Sequence, residues 1–407
     1  MKYAIIGATF SGNKGASAML ESSIQHITEL DPEARFLVLT VYPGPDTVLN
    51  DYPNVHVMDA SPLHLGTAIN AGSLLAGLLP GSRPAVAHHA PEVEAIAGAD
   101  VLLDEGGITF VDGRGKFLIY NVATLLPALF TRTPIVKIAQ AMGPFEEPLN
   151  GLAARALLPR VSTIVSRGAI TREHLDDLEL DNVIDGADLA FTLRVSPDAE
   201  AEATRIAGTF FDGGDVVGVS PSQVLRKQAE AEGRDYVGEV VAQVDFLTEQ
   251  MDRPVLLVPH SARSGTDKTH NNDLPVTREI HSRLARPDRV LFLEEELGAQ
   301  TLRALIGRCD LFVASRFHAM VSSLATAVPT LVIGWSHKYR EVLDMFDAAE
   351  WAVGYDDMTQ AVFEERMRRL ATESETIRAR LSAAYPAVEA LAHKQVEVVV
   401  ETARRGR

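Results

Sequence analysis

DLFVASRFHAMVSSLATAVPTLVI, residues 310–333, holds a strand, a helix and a second strand in one short stretch. Residues 310–314 are an apolar run, 317–327 carry a helical pattern, and 329–333 are apolar again. Both runs are continuously apolar rather than alternating, as parallel strands buried on both faces are. Between the first strand and the helix stand Arg316 and His318, two polar side chains in an otherwise apolar segment. Ser315 reads as the cap of a helix starting near residue 316. Arg316 and His318 would then lie in its first turn, where orphan N–H groups and the helix dipole favour an anion. Residues two apart do not share a helix face. His318 is expected to face the cleft, with Arg316 either beside it or bracing the fold.

The same alternation runs through the chain. Strand candidates fall at 3–8, 35–41, 100–103, 135–139 and 161–166, then at 215–219, 254–258, 289–293, 310–314 and 329–333. Helical patterns lie between them at 16–30, 116–130, 234–250, 274–285, 299–308 and 317–327. This predicts an α/β fold with two doubly wound Rossmann-like domains facing a cleft. A break near FTLRVSPDAEAE (191–202) divides the chain into 1–195 and 196–385, followed by a helix over 386–407. In such sheets ligands bind beyond the carboxyl ends of the strands, so the loops there carry the functional question.

Composition narrows the partners. The 407 residues carry a formal net charge of −17, which argues against nucleic acid. A single cysteine, Cys309, allows no intramolecular disulfide and fits a cytoplasmic location. The amino-terminal MKYAIIGATFSG does not read as a signal peptide. The longest apolar window, 65–81, contains Asn70 and several glycines and reads as a packed helix, not a membrane span.

Several loops follow predicted strands. GATFSGNKGASAML (7–20) matches neither the P-loop nor the dinucleotide pattern. It leaves a glycine-rich turn with Asn13 and Lys14, suited to an anion or a sugar hydroxyl, or serving only as a tight turn. In LLDEGGITFVDGRGK (102–116), Asp104 and Glu105 precede Gly106 and Gly107. The carboxylates could orient sugar hydroxyls or act as a base, or simply cap and solvate a helix. Arg167 follows the strand at 161–166 and faces either the cleft or the surface. His260, His270 and Asp273 lie in one polar loop, but their spacing fits no compact metal pattern, and no metal is expected. Glu294, Glu295 and Glu296 stand at another strand end, and an acidic helix start explains them equally well. The strand at 329–333 runs into GWSHKYR, which brings His337 and Lys338. A His and a Lys at successive strand ends, His318 and Lys338, point to an anion site that Arg167 would complete.

Read together, GNKGASAML, DEGGITF, QAMGPF, SRGAITREHL, DGADLAFTL, NNDL, SRFHAM and GWSHK resemble, in order, the polysaccharide pyruvyl transferases. The likeness spans most of the chain. It implies a fold similar to the two-domain GT-B glycosyltransferases and no required metal or cofactor. It implies phosphoenolpyruvate (PEP) as co-substrate and donor, with pyruvate attached as a ketal to two hydroxyls of a sugar in a cell-surface glycan or its precursor. The acceptor would be free or lipid-linked, and the protein cytoplasmic or peripheral at the inner membrane face. Arg167, His318 and Lys338 match the family's PEP-binding and catalytic positions, and Arg316 belongs to the same motif. Asn13, Lys14, Asp104, Glu105, Gly106 and Gly107 would lie toward the acceptor. Two other readings stay open: a GT-B glycosyltransferase with a nucleotide-sugar donor, and a catalytically silent glycan-binding relative.

Overall fold

The computed structural model of the chain describes residues 1–266, 272–334 and 338–406, the Lys338 side chain excepted. The strands are β1 (Lys2–Ile6), β2 (Gly12–Asn13), β3 (Arg35–Thr40), β4 (Val55–Asp59), β5 (Val101–Asp104), β6 (Ile135–Gln140), β7 (Thr163–Ser166) and β8 (Val183–Asp185). They continue with β9 (Val217–Ser220), β10 (Val255–Leu257), β11 (Ser261–Ala262), β12 (Val290–Phe292), β13 (Leu311–Ala314), β14 (Thr330–Gly334) and β15 (Ala352–Gly354).

The chain forms two units. The first comprises Met1–Ser11, Met19–Thr192 and the chain from Glu389 on. Its parallel sheet has the order β4-β3-β1-β5-β6-β7-β8. The second comprises Gly12–Ala18 and Leu193–Val388, with the order β12-β10-β9-β13-β14-β15. Both orders are doubly wound. The direction of succession reverses between β1 and β5 in one sheet and between β9 and β13 in the other, and ligand crevices form at such reversals.

The central strands are what the continuous apolar runs require. Ile5, Val101, Leu102, Leu103, Val217, Phe312, Leu331 and Val332 are completely buried, because helices cover both faces. The less regular strands are β4, β8 and β15, all at sheet edges, where half-exposed residues break the apolar pattern. The window 65–81 folds as a π-helical turn, Leu65–Ile69, leading into the helix Asn70–Leu78. Among the described residues no helix is long and apolar enough to cross a membrane.

Two features are not local in sequence. Residues 12–18 belong to the second unit, because β2 pairs antiparallel with β11: Ser261 opposes Asn13 and Ala262 opposes Gly12. The carboxyl-terminal helix starts well before residue 386. It runs Ser374–Arg405 with Pro386 inside it, and its last part belongs to the first unit.

Candidate active site

In the second unit, the loops after β9 and β13 meet where the sheet order reverses. The Ser315 N–H donates to the Ser220 carbonyl at 3.2 Å. The helix that follows is Phe317–Ala325, and Arg316 is its N-cap residue, extended at φ −114° and ψ 134°. Ser315 is therefore not the cap, and Arg316 lies just outside the first turn. Extended backbone lets its side chain leave the helix axis. The guanidinium donates from Nε to Asp273 Oδ2 at 2.9 Å and from Nη2 to Oδ1 at 2.5 Å. Asp273 is fully buried and also accepts the N–H groups of Gln223 and Ser261, at 2.8 and 3.0 Å. Arg316 thus braces the loops after β9, β10 and β13. Burial opposes its charge, but Asp273 outweighs burial and raises its pKa.

His318, the second residue of that helix, packs on Gly15. A Cβ on Gly15 would stand 1.9 Å from His318 Nδ1 and 2.2 Å from Cγ, so only glycine fits. Gly15 lies in the first turn of the helix Lys14–Leu30, where its N–H donates to Asn13 Oδ1 at 3.1 Å. Lys14 is buried, and its ammonium stands 2.8 Å from Glu296 Oε1. The same oxygen accepts the Gly12 N–H at 2.7 Å, and Oε2 accepts that of Ser264 at 3.3 Å. Burial would raise the Glu296 carboxyl, yet Lys14 and these N–H groups hold it below the ordinary carboxylate range. Glu296 is consequently a partner for Lys14 rather than part of an acidic helix start: the next helix begins at Ala299 with no acid in its first turn.

His260 is buried beneath this group. Burial first, then the neighbouring His318, Arg316, Arg303 and Lys14, hold its imidazole well below the usual value, so it is neutral. Arg303, buried, donates to the Leu193 carbonyl at 2.9 Å. Lys338 opens the helix Lys338–Asp344, and its side chain, like residues His270, Asn271 and His337, lies outside the described residues.

In the first unit the reversal brings Gly7 and Gly106 together: a Cβ on Gly7, at φ +89°, would reach 2.7 Å from the Gly106 nitrogen. Asp104 ends β5, is buried, and pairs with the Lys137 ammonium. Its Oδ1 also accepts from Gly106 N–H at 3.1 Å and from Gln140 Nε2 at 3.2 Å. Glu105 is completely buried. One oxygen accepts the Ser23 hydroxyl at 2.5 Å, while Oε2 has no partner. Burial and, to a lesser degree, Asp104 push this carboxyl up to about 8, against the Ser23 hydrogen bond. Arg167 is buried too, with Nη1 3.3 Å from Asp188 Oδ2 and 3.9 Å from the place a Gly107 Cβ would take.

The second unit thus gathers Asn13, Lys14, Arg316 and His318. The first gathers Arg167 with Asp104, Glu105, Gly106 and Gly107. Lys137, Asp188 and Gly15 are additions to the reading from sequence, and Glu296 changes role to become the partner of Lys14. A lysine inside the apolar strand IVKIAQ signals a buried ion pair, and DGADLAFTL had displayed Asp188.

Comparison with known proteins agrees with this architecture. Among solved structures, a UDP-N-acetylglucosamine 2-epimerase from Listeria monocytogenes, described as putative, covers 100% of this chain and 97% of its own at TM-score 0.64 and 13% identity. The UDP-GlcNAc 2-epimerase of Neisseria meningitidis bound to UDP-GlcNAc covers 98% and 100% at TM-score 0.61 and 12% identity. UGT71G1 of Medicago truncatula, complexed with UDP-glucose, covers 98% of both chains at TM-score 0.55 and 11% identity. At these identities the likeness concerns fold alone, and the fold is GT-B-like. The amylovoran biosynthesis protein AmsJ of Erwinia amylovora is 24% identical over 261 residues, 62% of this chain and 61% of AmsJ. The polysaccharide pyruvyl transferase family model matches residues 13–337, which take in both strand-end sites, and the chain belongs to that family.

Proposed function

We propose that the protein transfers pyruvate from PEP to two hydroxyls of one sugar in a glycan or glycan precursor, forming a ketal. Family membership and the likeness to a polysaccharide biosynthesis protein support this. The observation that carries it is the placement of His318 on Gly15, at a sheet reversal, in a unit that surrounds His260 with Lys14, Arg303 and Arg316. PEP bears a carboxylate and a phosphate, and a cationic strand-end loop suits such a donor.

The chemistry needs one proton delivered and two removed. The PEP methylene takes a proton and becomes a methyl group, leaving a cationic carbon at C2. One sugar hydroxyl adds there and loses its proton. The C2–O bond to phosphate then breaks, and the second hydroxyl adds and loses its proton, one of the two released protons ending on phosphate. His318 is the acid/base. Arg167 and Lys338 hold the donor's oxyanions, with Asp188 orienting Arg167. Arg316, committed to Asp273, fixes the loop from which His318 projects. The Asp104–Gly107 loop faces the acceptor, and Asn13 and Lys14 set the turn on which His318 rests. No metal or organic cofactor enters these steps.

The test is PEP turnover against a glycoside panel, scored by mass and by phosphate release. His318→Ala should lower kcat by about 10²–10⁴-fold. Arg167→Ala should cost roughly 2–5 kcal/mol, chiefly in PEP binding. Wild-type turnover by His318→Ala would remove that residue from the mechanism. Binding of nucleotide sugars without PEP would favour the glycosyltransferase reading, and phosphate release excludes a silent glycan binder.

A further inference from the structure

Away from these loops, the described residues contain one group of side chains suited to a metal ion: His26, Glu29 and His393, all in the first unit. Their ligand atoms lie within 4.8 Å of one another. His26 and Glu29 are one turn apart on the helix Lys14–Leu30, with Nδ1 and Oε2 separated by 3.4 Å. His393 comes from the carboxyl-terminal helix, and its ring stands edge-on to that of His26 at 5.0 Å between centroids.

The tautomer is the informative point. His26 Nε2 lies 2.8 Å from the Thr192 carbonyl oxygen. A carbonyl only accepts, so Nε2 carries the hydrogen, and in the neutral ring the lone pair falls on Nδ1. That lone pair faces a carboxylate oxygen, an arrangement a cation between them would stabilise. Metal-ligating histidines are held in this way, with the second N–H on a carbonyl. His26 is 2% exposed and hence fixed, whereas Glu29 at 45% and His393 at 31% leave an approach for a hydrated ion. Glu397 Oε1, 3.9 Å from His393 Nδ1, adds a second carboxylate.

We propose that His26, Glu29 and His393 bind a borderline divalent transition ion of the Zn²⁺ type, water completing its shell. Two imidazoles and one carboxylate suit Zn²⁺, Co²⁺ or Ni²⁺; Mg²⁺ and Ca²⁺ prefer oxygen alone. Bonds of ~2.0–2.1 Å would draw the three groups together. The ion would tie the amino-terminal helix to the end of the carboxyl-terminal helix, with His26 already anchored at Thr192. This site is independent of the transfer chemistry.

The full chain, stripped with chelator, is titrated with Co²⁺ by visible absorption and with ZnCl₂ by calorimetry. One equivalent should bind and raise Tm, and Mg²⁺ should not compete. His393→Ala and Glu29→Gln, each checked for native circular dichroism, should weaken binding at least tenfold. The exposed neighbours His88 and His89 serve as the control, and His88→Ala/His89→Ala should bind as the wild type does. Failure of the wild type to bind one equivalent, or unchanged affinity in both His393→Ala and Glu29→Gln, overturns the proposal.

Discussion

At the end of β5, burial pushes the Glu105 carboxyl up to about 8, whereas beyond β10 burial holds the His260 imidazole well below its ordinary value. One site keeps a proton on an acid and the other keeps one off a base, for the same reason: each group avoids charge where water is excluded. Their permanent charges are also treated alike. Lys137 pairs with Asp104 and Arg167 with Asp188 in the first unit; Lys14 pairs with Glu296 and Arg316 with Asp273 in the second. The difference lies in what remains. The first unit holds a buried acid with one unpartnered oxygen, and the second sets the His318 ring against Gly15. Strand-end charge in this chain is organised by pairing, and Glu105 and His260 are the neighbouring groups whose pKa values burial displaces.

Breaking the pair that braces the second site should give the largest effect. Asp273→Ala leaves the Arg316 guanidinium without its carboxylate and three loops without their brace. It should cost about 3–5 kcal/mol in urea unfolding; a loss under ~1 kcal/mol would mean that the pair does not organise the second site. Next comes the proton on Glu105. Between about 4.5 and about 8 the folded carboxyl is protonated while the unfolded one is ionised, so the unfolded state binds fewer protons and stability falls as pH rises. Relative to Glu105→Gln, the wild type should lose about 1.4 kcal/mol per pH unit across that window. Parallel stability curves for the two proteins would place Glu105 outside the buried-acid description.

Smaller changes sharpen the second site. Gly15→Ala puts a methyl group into the His318 ring and should cost about 1–3 kcal/mol in stability, with a loss of PEP turnover out of proportion to it. Turnover at the wild-type rate would show that the position of the ring does not matter. The mildest effect concerns His260. Its folded value lies below the unfolded one near 6.5, so stability is fully present above pH 6.5 and declines as pH falls. His260→Gln should flatten that decline in thermal melts between pH 7 and pH 5.

How legible all this is from sequence depends on whether the cause is local. The central strands are legible because burial on both faces leaves continuous runs such as DLFVA and PTLVI. The edge strand Val55–Asp59 is not, since VHVMD is half exposed and carries polar residues. Residues 12–18 read as part of the first half of the chain, yet they join the second unit through Glu296 and Ser261, more than two hundred positions away. The site followed the same rule. His318 and Arg316 stand out against an apolar background, and so their importance is visible. Their neighbours Gly15 and Asp273 acquire meaning only when distant loops meet. The cap lies at Arg316 rather than Ser315 for a related reason: Arg316 is drawn into extended backbone by a carboxylate forty-three positions upstream.

The most direct measurement incubates the wild-type protein and His318→Ala with PEP and a panel of glycosides bearing neighbouring hydroxyl pairs. Phosphate and product mass are followed together. The expected result is one phosphate released per sugar that gains one pyruvyl ketal, with His318→Ala slower by about 10²-fold or more. Equal rates in the two proteins, or release of a nucleoside diphosphate from nucleotide sugars with PEP untouched, would contradict it.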